Sequence, residues 1–160
     1  MYPYYYYRVS NWGDVLNLLQ QSLFAEKMVC AMSSELFHIP ATKDLEGNRQ
    51  MHDHLVPASY HLLTATGSAQ RLINGEDRQS IIDTLVACIN NAQDQNKKVR
   101  VGLSTMLENA SQEYKPFIDL IIKWQNQKEA YLSQAKDTVR SMGISFTTES
   151  NQQNGGNQSY

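Results

Sequence analysis

Apolar residues recur along most of this chain at intervals of three and four. Trp12, Val15, Leu16, Leu19, Leu23, Val29, Cys30 and Leu36 form the first such run. That spacing places one stripe on one side of a helix. Ser10 or Asn11 can cap the start, and Asp14 then stands in the first turn, where the helix dipole favours a carboxylate. The run predicts a helix to about Phe37, ended by Ile39-Pro40, because a residue before proline is driven out of the helical region. Residues 41–47 are polar and predict a loop. A second stripe, from Met51 through Leu55, Ala58, Leu62, Ala65 and Ala69 to Ile73, predicts a helix over about 48–74. Pro57 interrupts it, so a kink is expected, or else a shorter helix opening near Val56. Asn74-Gly75 is a stop signal.

Asp77 is expected to cap a third helix carrying Ile82, Leu85, Val86, Ile89, Val99, Leu103 and Met106 and ending near Ala110. Its middle, Asn90 to Lys98, is polar and predicts a weakly packed segment. A fourth helix opens between Ser111 and Pro116, takes its apolar face from Phe117, Ile118, Ile121, Ile122, Trp124, Leu132 and Val139, and closes at Gly143. No segment of the body alternates with period two, so no strand is expected. Four long helices with short connections predict an all-α fold, an antiparallel four-helix bundle over residues 10–144.

The ends are of a different kind. Five of the nine tyrosines lie in the first seven residues: Tyr2, Tyr4, Tyr5, Tyr6 and Tyr7. Residues 1–9 predict an extended arm. Residues 145–160 are rich in Gln, Asn, Gly and Ser and predict a disordered tail. Clustered phenols offer rigid faces with a hydrogen-bonding tip, suited to protein partners or self-association. Phenols can also be cross-linked oxidatively, and glutamines joined to lysines by transamidation. The competing reading is an arm that packs on its own bundle or only aids solubility.

Composition narrows the function classes. The chain has 160 residues, enough for one domain, and a formal net charge of −2. Its densest basic stretch is Lys97-Lys98-Val99-Arg100, so nucleic acid is not an expected partner. No run approaches the roughly 20 apolar residues of a membrane span, and no leader pattern opens the chain. Cytoplasmic synthesis is the expectation. Cys30 and Cys88 each sit in an apolar helical pattern and predict reduced thiols packed as small hydrophobes. Neither a Gly-x-Ser-x-Gly elbow nor a phosphate-binding glycine loop is present.

Two constellations carry candidate chemistry. Glu35-Leu36-Phe37-His38 is a Glu-x-x-His unit, whose ends share a helix face and could take one metal ion. All four histidines, His38, His52, His54 and His61, fall within 24 residues. With Glu26 near the apolar seam, a site of Glu26, Glu35, His38, His54 and His61 could hold iron, manganese or zinc. No second Glu-x-x-His follows, so a complete dinuclear centre is not expected. The competing reading makes the histidines polar surface groups at a helix–loop junction, with no cofactor. Glu26 and Lys128 also flank the seams of the first and fourth helices. Antiparallel neighbours would bring them together as a buried pair; otherwise both snorkel outward. Trp12, Phe117 and Trp124 either fill the core or form an exposed anchor patch.

The helical layout over 11–143, Glu26, Glu35-Leu36-Phe37-His38, Met51-His52-Asp53-His54 and the two low-complexity ends together resemble the degenerate branches of the ferritin-like superfamily. They are most similar to the bacterial spore coat F family. Members of that group are ferritins stripped of some or all metal ligands, and several are structural components of spores. The resemblance implies a non-enzymatic structural or assembly role, with deposition on a spore. The alternative it carries is a ferritin-like metalloprotein with a mononuclear or incomplete dinuclear site.

Overall fold

The structure is a computed structural model that describes residues 11–146. It is all-α. Four long helices, α1 (Trp12–His38), α3 (Asn48–Ile73), α4 (Gln79–Asn109) and α5 (Lys115–Ser141), are joined by short connections, and a single turn, α2 (Pro40–Lys43), follows α1. Among the described residues there is no strand.

Local chemistry sets most of the boundaries. The Asn11 side chain accepts from the Asp14 N–H at 3.0 Å and caps α1. Ile39 is extended, with φ −93° and ψ 118°, as its position before Pro40 requires. Pro40 then opens α2, a turn within the stretch expected as loop, because its fixed φ suits a first helical position. Buried polar groups hold this turn: Thr42 Oγ1 donates to Leu36 O at 2.8 Å, and Asn48 Nδ2 donates to Thr42 O at 3.2 Å. Pro57 lies inside a continuous α3 rather than at its start. After Ile73 the chain leaves the helix through Gly75, at φ 90°. Gly75 N–H donates to Leu72 O and Glu76 N–H to Arg71 O, the reciprocal pair that closes a helix on a left-handed glycine. Arg78, not Asp77, occupies the cap position of α4, and no side chain caps it. Pro116 falls in the first turn of α5, and Gly143, at φ 86°, follows its end.

The helices meet along four seams: α1 with α3, α3 with α4, α4 with α5, and α5 with α1. The α3–α4 seam is the tightest in one place. A Cβ built on Gly102 would lie 2.8 Å from both Gly47 O and Met51 N, so only glycine lets α4 approach the start of α3 this closely. Two apolar clusters fill the interior. Val15 and Leu19 of α1, Leu62 to Leu72 of α3, Ile81 to Ala92 of α4 and Leu132 to Val139 of α5 form the first. Val29 and Leu36, Met51 and Leu55, Val99 to Met106, and Ile118 with Ile121 form the second. Phe146 is buried against the first cluster, two residues beyond the expected end of the body. The Tyr-rich arm and residues 147–160 lie outside the described residues.

Candidate functional site

Between the two apolar clusters every long helix contributes a buried or half-buried polar residue. α1 supplies Ser22 and Glu26, α3 Ser59, α4 Asn96, and α5 Gln125 and Lys128. At the middle of this layer Glu26 and Lys128 form an ion pair. Glu26 is 2% exposed and Lys128 0%, so both charges are out of water. The inward pairing holds, and neither side chain snorkels.

The rest of the layer supports the pair unevenly. Ser59 Oγ donates to Glu26 Oε1 at 2.5 Å, and the Cys30 thiol reaches the same oxygen at 3.5 Å. Ser22 Oγ donates to the Lys128 carbonyl at 2.9 Å. The Lys128 ammonium and Glu26 Oε2 meet as charges rather than in hydrogen-bond alignment, and neither has another partner. Both amide atoms of Gln125 and Asn96 Oδ1 are also buried without a partner. Such groups are rare in native interiors because each costs about 1–3 kcal/mol. Burial first, and the Glu26 carboxylate second, push the Cys30 thiol up to about 11. It is therefore a neutral thiol rather than a thiolate nucleophile at physiological pH.

The proposed metal ligands are not gathered. Glu26 is engaged with Lys128 and Ser59. Glu35 and His38 are exposed at the end of α1. A nitrogen of His54 pairs with Gln95 Oε1 across the α3–α4 seam at 2.8 Å. His61 has a buried, unpartnered Nδ1 and stacks edge-on with Tyr60. Among the described residues no three His, Cys, Asp or Glu side chains group so as to hold an ion. His52 is half-buried beside the end of α1. Burial lowers its pKa despite a contact with Ser33 O at 3.3 Å.

Two surface features were only partly legible in the sequence. On the α1–α5 side, Phe24 and Trp124 meet edge to face at 6.0 Å and, with Tyr131, line a groove of about 360 Å³. Its rim is neutral: Gln20, Gln21 and Gln127. Trp124 is among the candidate anchors of the sequence, whereas Phe24 stands off the apolar stripe of α1. That off-stripe position was the available signal, since it leaves Phe24 58% exposed. Trp12 packs partly buried against the first cluster, and Phe117, like Trp124, against the second.

On the opposite flank of α5, a polar cleft of about 870 Å³ lies between α4 and α5. The polar stretch Asn90–Lys98 forms its α4 wall, which is why that segment lacked an apolar stripe. Lys136 Nζ crosses the cleft to Asn90 Oδ1 at 2.9 Å and Gln93 Oε1 at 3.0 Å. Burial first, then the Arg140 guanidinium, hold the Lys136 ammonium below the ordinary lysine range. No helix among the described residues is long and apolar enough to cross a membrane. No family model, curated protein or solved structure matches the chain.

Proposed function

We propose that the chain is an antiparallel, ferritin-like four-helix bundle with a structural, non-enzymatic role, which assembles with further copies of itself. Deposition on a spore is the setting that the compositional resemblance suggests. The observation that carries the assembly reading is the aromatic groove between α1 and α5. Its occupant is the Tyr-rich segment of a neighbouring copy. Phe24, Trp124 and Tyr131 supply ring faces for Tyr2, Tyr4, Tyr5, Tyr6 and Tyr7, and the Gln20, Gln21 and Gln127 amides supply partners for phenolic hydroxyls. The neutral rim suits an arm that carries a single charged side chain, Arg8.

The interior supports a scaffold reading as well. Where a ferritin-like centre would place a metal, Glu26 faces an ammonium. The metalloprotein alternative would require Lys128 to withdraw from the core and leave its own charge unpaired. Elemental analysis of protein purified without a chelator checks that alternative directly.

Sedimentation velocity of the full chain over a range of concentrations tests assembly. Association is expected in the intact protein. It should be lost on deleting residues 1–9 and in Phe24→Ser, with helicity unchanged in both. A full chain that stays monomeric at every concentration, or association that survives both changes, overturns the proposal.

A further inference from the structure

The α4–α5 cleft has the features of a built site rather than a gap in packing. Asn90, Gln93, Asn96 and Arg100 recur at helical spacing on one side of α4, facing Ser133, Lys136 and Arg140 of α5. Its lining carries four cationic side chains against two carboxylates, in a chain whose net charge is −2. Glu129 is paired with Arg100, Asp94 lies 3.9 Å from Lys97, and Arg140 reaches Asp137 at 3.5 Å on its own helix. The Lys136 ammonium touches only neutral amide oxygens among its hydrogen-bond partners. Phe146 closes one end, with Lys136 Nζ at 5.1 Å and the Arg140 guanidinium carbon at 5.6 Å from its ring centre.

Asn96 supplies an independent indication. It lines the cleft, is 1% exposed, and its Oδ1 has no hydrogen-bond partner. An acceptor buried in this way calls for a donor. A cation cluster and an orphaned acceptor together specify a ligand with two ends: an oxyanion and a hydroxyl. The volume lies in the range of small-molecule sites, about 300–1,000 Å³, while the polar lining disfavours an apolar ligand.

We propose that the α4–α5 cleft binds a small hydroxylated molecule bearing a phosphate or carboxylate group, with Lys136 and Arg140 holding the oxyanion and Asn96 Oδ1 accepting from a hydroxyl. The site is separate from the aromatic groove and does not depend on assembly.

Calorimetric titration of the full chain tests it, with ribose 5-phosphate as the phosphate arm, gluconate as the carboxylate arm and ribose as the neutral control. One or both acids should bind and ribose should not; the stronger acid identifies the source of the oxyanion. Lys136→Met and Arg140→Gln should each weaken binding at least about tenfold, the effect of one charge-assisted hydrogen bond. Amide resonances of Asn96 and its α4 neighbours should shift on titration. Circular dichroism of each variant separates loss of binding from loss of fold. Failure of both acids to bind better than ribose overturns the proposal. So does undiminished binding by both folded variants, or shifts confined to residues outside the cleft.

Discussion

Lys128 and Lys136 lie two turns apart on α5 and experience opposite solvents. Lys128 points into the α1–α5 seam, fully buried, against a carboxylate. Lys136 spans the α4–α5 seam in an open cleft, against two amides. The difference comes from the facing helix. α1 offers Ser22, Glu26 and small Ala25 at this level, so the helices close over the pair. α4 offers Asn90, Gln93 and Lys97, polar groups that favour an open cleft over a closed apolar seam. One helix therefore serves a dry structural seam on one flank and a wet, ligand-sized seam on the other.

The largest expected effect comes from breaking the dry seam. Lys128→Met leaves the Glu26 carboxylate in the interior without its counter-charge, at a cost of about 3–5 kcal/mol in urea unfolding. Replacing both, as Glu26→Leu with Lys128→Met, should recover most of that loss, because the pair's desolvation cost disappears with it. A double variant as unstable as the single one would mean that the layer is held by something other than the pair. Next in size is Gly102→Ala. A methyl there meets the backbone of Gly47 and Met51, not a flexible side chain. About 1–3 kcal/mol of overpacking strain should follow. The outer wall of the cleft is one flank of this same helix. If α4 is held by its tight contact with α3, the substitution should also disturb ligand binding in the cleft.

The periodicity of apolar residues was enough to place four long helices, because each buries one continuous stripe. It was also enough to bring Glu26 and Lys128 to the seams. Whether they turned inward was open, since a long side chain near a stripe can go either way. The partner level is a tertiary fact. Glu35 and His38 show the converse. Their spacing fits a metal site, but the last turn of α1 leaves both exposed. The turn at Pro40–Lys43 carries no apolar stripe, and its support comes from the Thr42 hydroxyl on Leu36 O and from Asn48, across the connection. The cleft was visible only as an absence of stripe between Asn90 and Lys98. The matching groups on α5, Ser133, Lys136 and Arg140, are spaced like any solvated face.

Cys30, half-buried beside Glu26, reports on the surroundings of that carboxylate. With its pKa at about 11, roughly a thousandth of the thiol is ionised at pH 8, and iodoacetamide should react slowly. The rate should climb about tenfold per pH unit until the thiol titrates. Glu26→Gln removes the second cause of the shift and should speed the reaction at pH 8. The sign of the linked stability follows from the raised value. A folded pKa of about 11 against an ordinary 9.0 means the folded state holds the proton more tightly. That contribution is complete below pH 9 and is lost as pH rises towards 11. A thiol that alkylates readily at pH 8 in the folded protein would show that burial and Glu26 do not hold Cys30 neutral.

The smallest expected effect is the one that decides between the two seams. Lys136→Met removes a half-buried cation whose partners, Asn90 Oδ1 and Gln93 Oε1, belong to residues lining an open cleft. Those oxygens can return to water, so no uncompensated buried charge is created, and the cost should stay within about 1 kcal/mol. The unfolding midpoint should therefore barely move, while Lys128→Met shifts it far. The contrast is informative because residue type, helix and substitution are identical. If Lys136→Met proved as costly as Lys128→Met, its bonds to α4 would be holding the two helices together. The cleft would then be a strut between them, and its ligand-binding role would lose its physical basis.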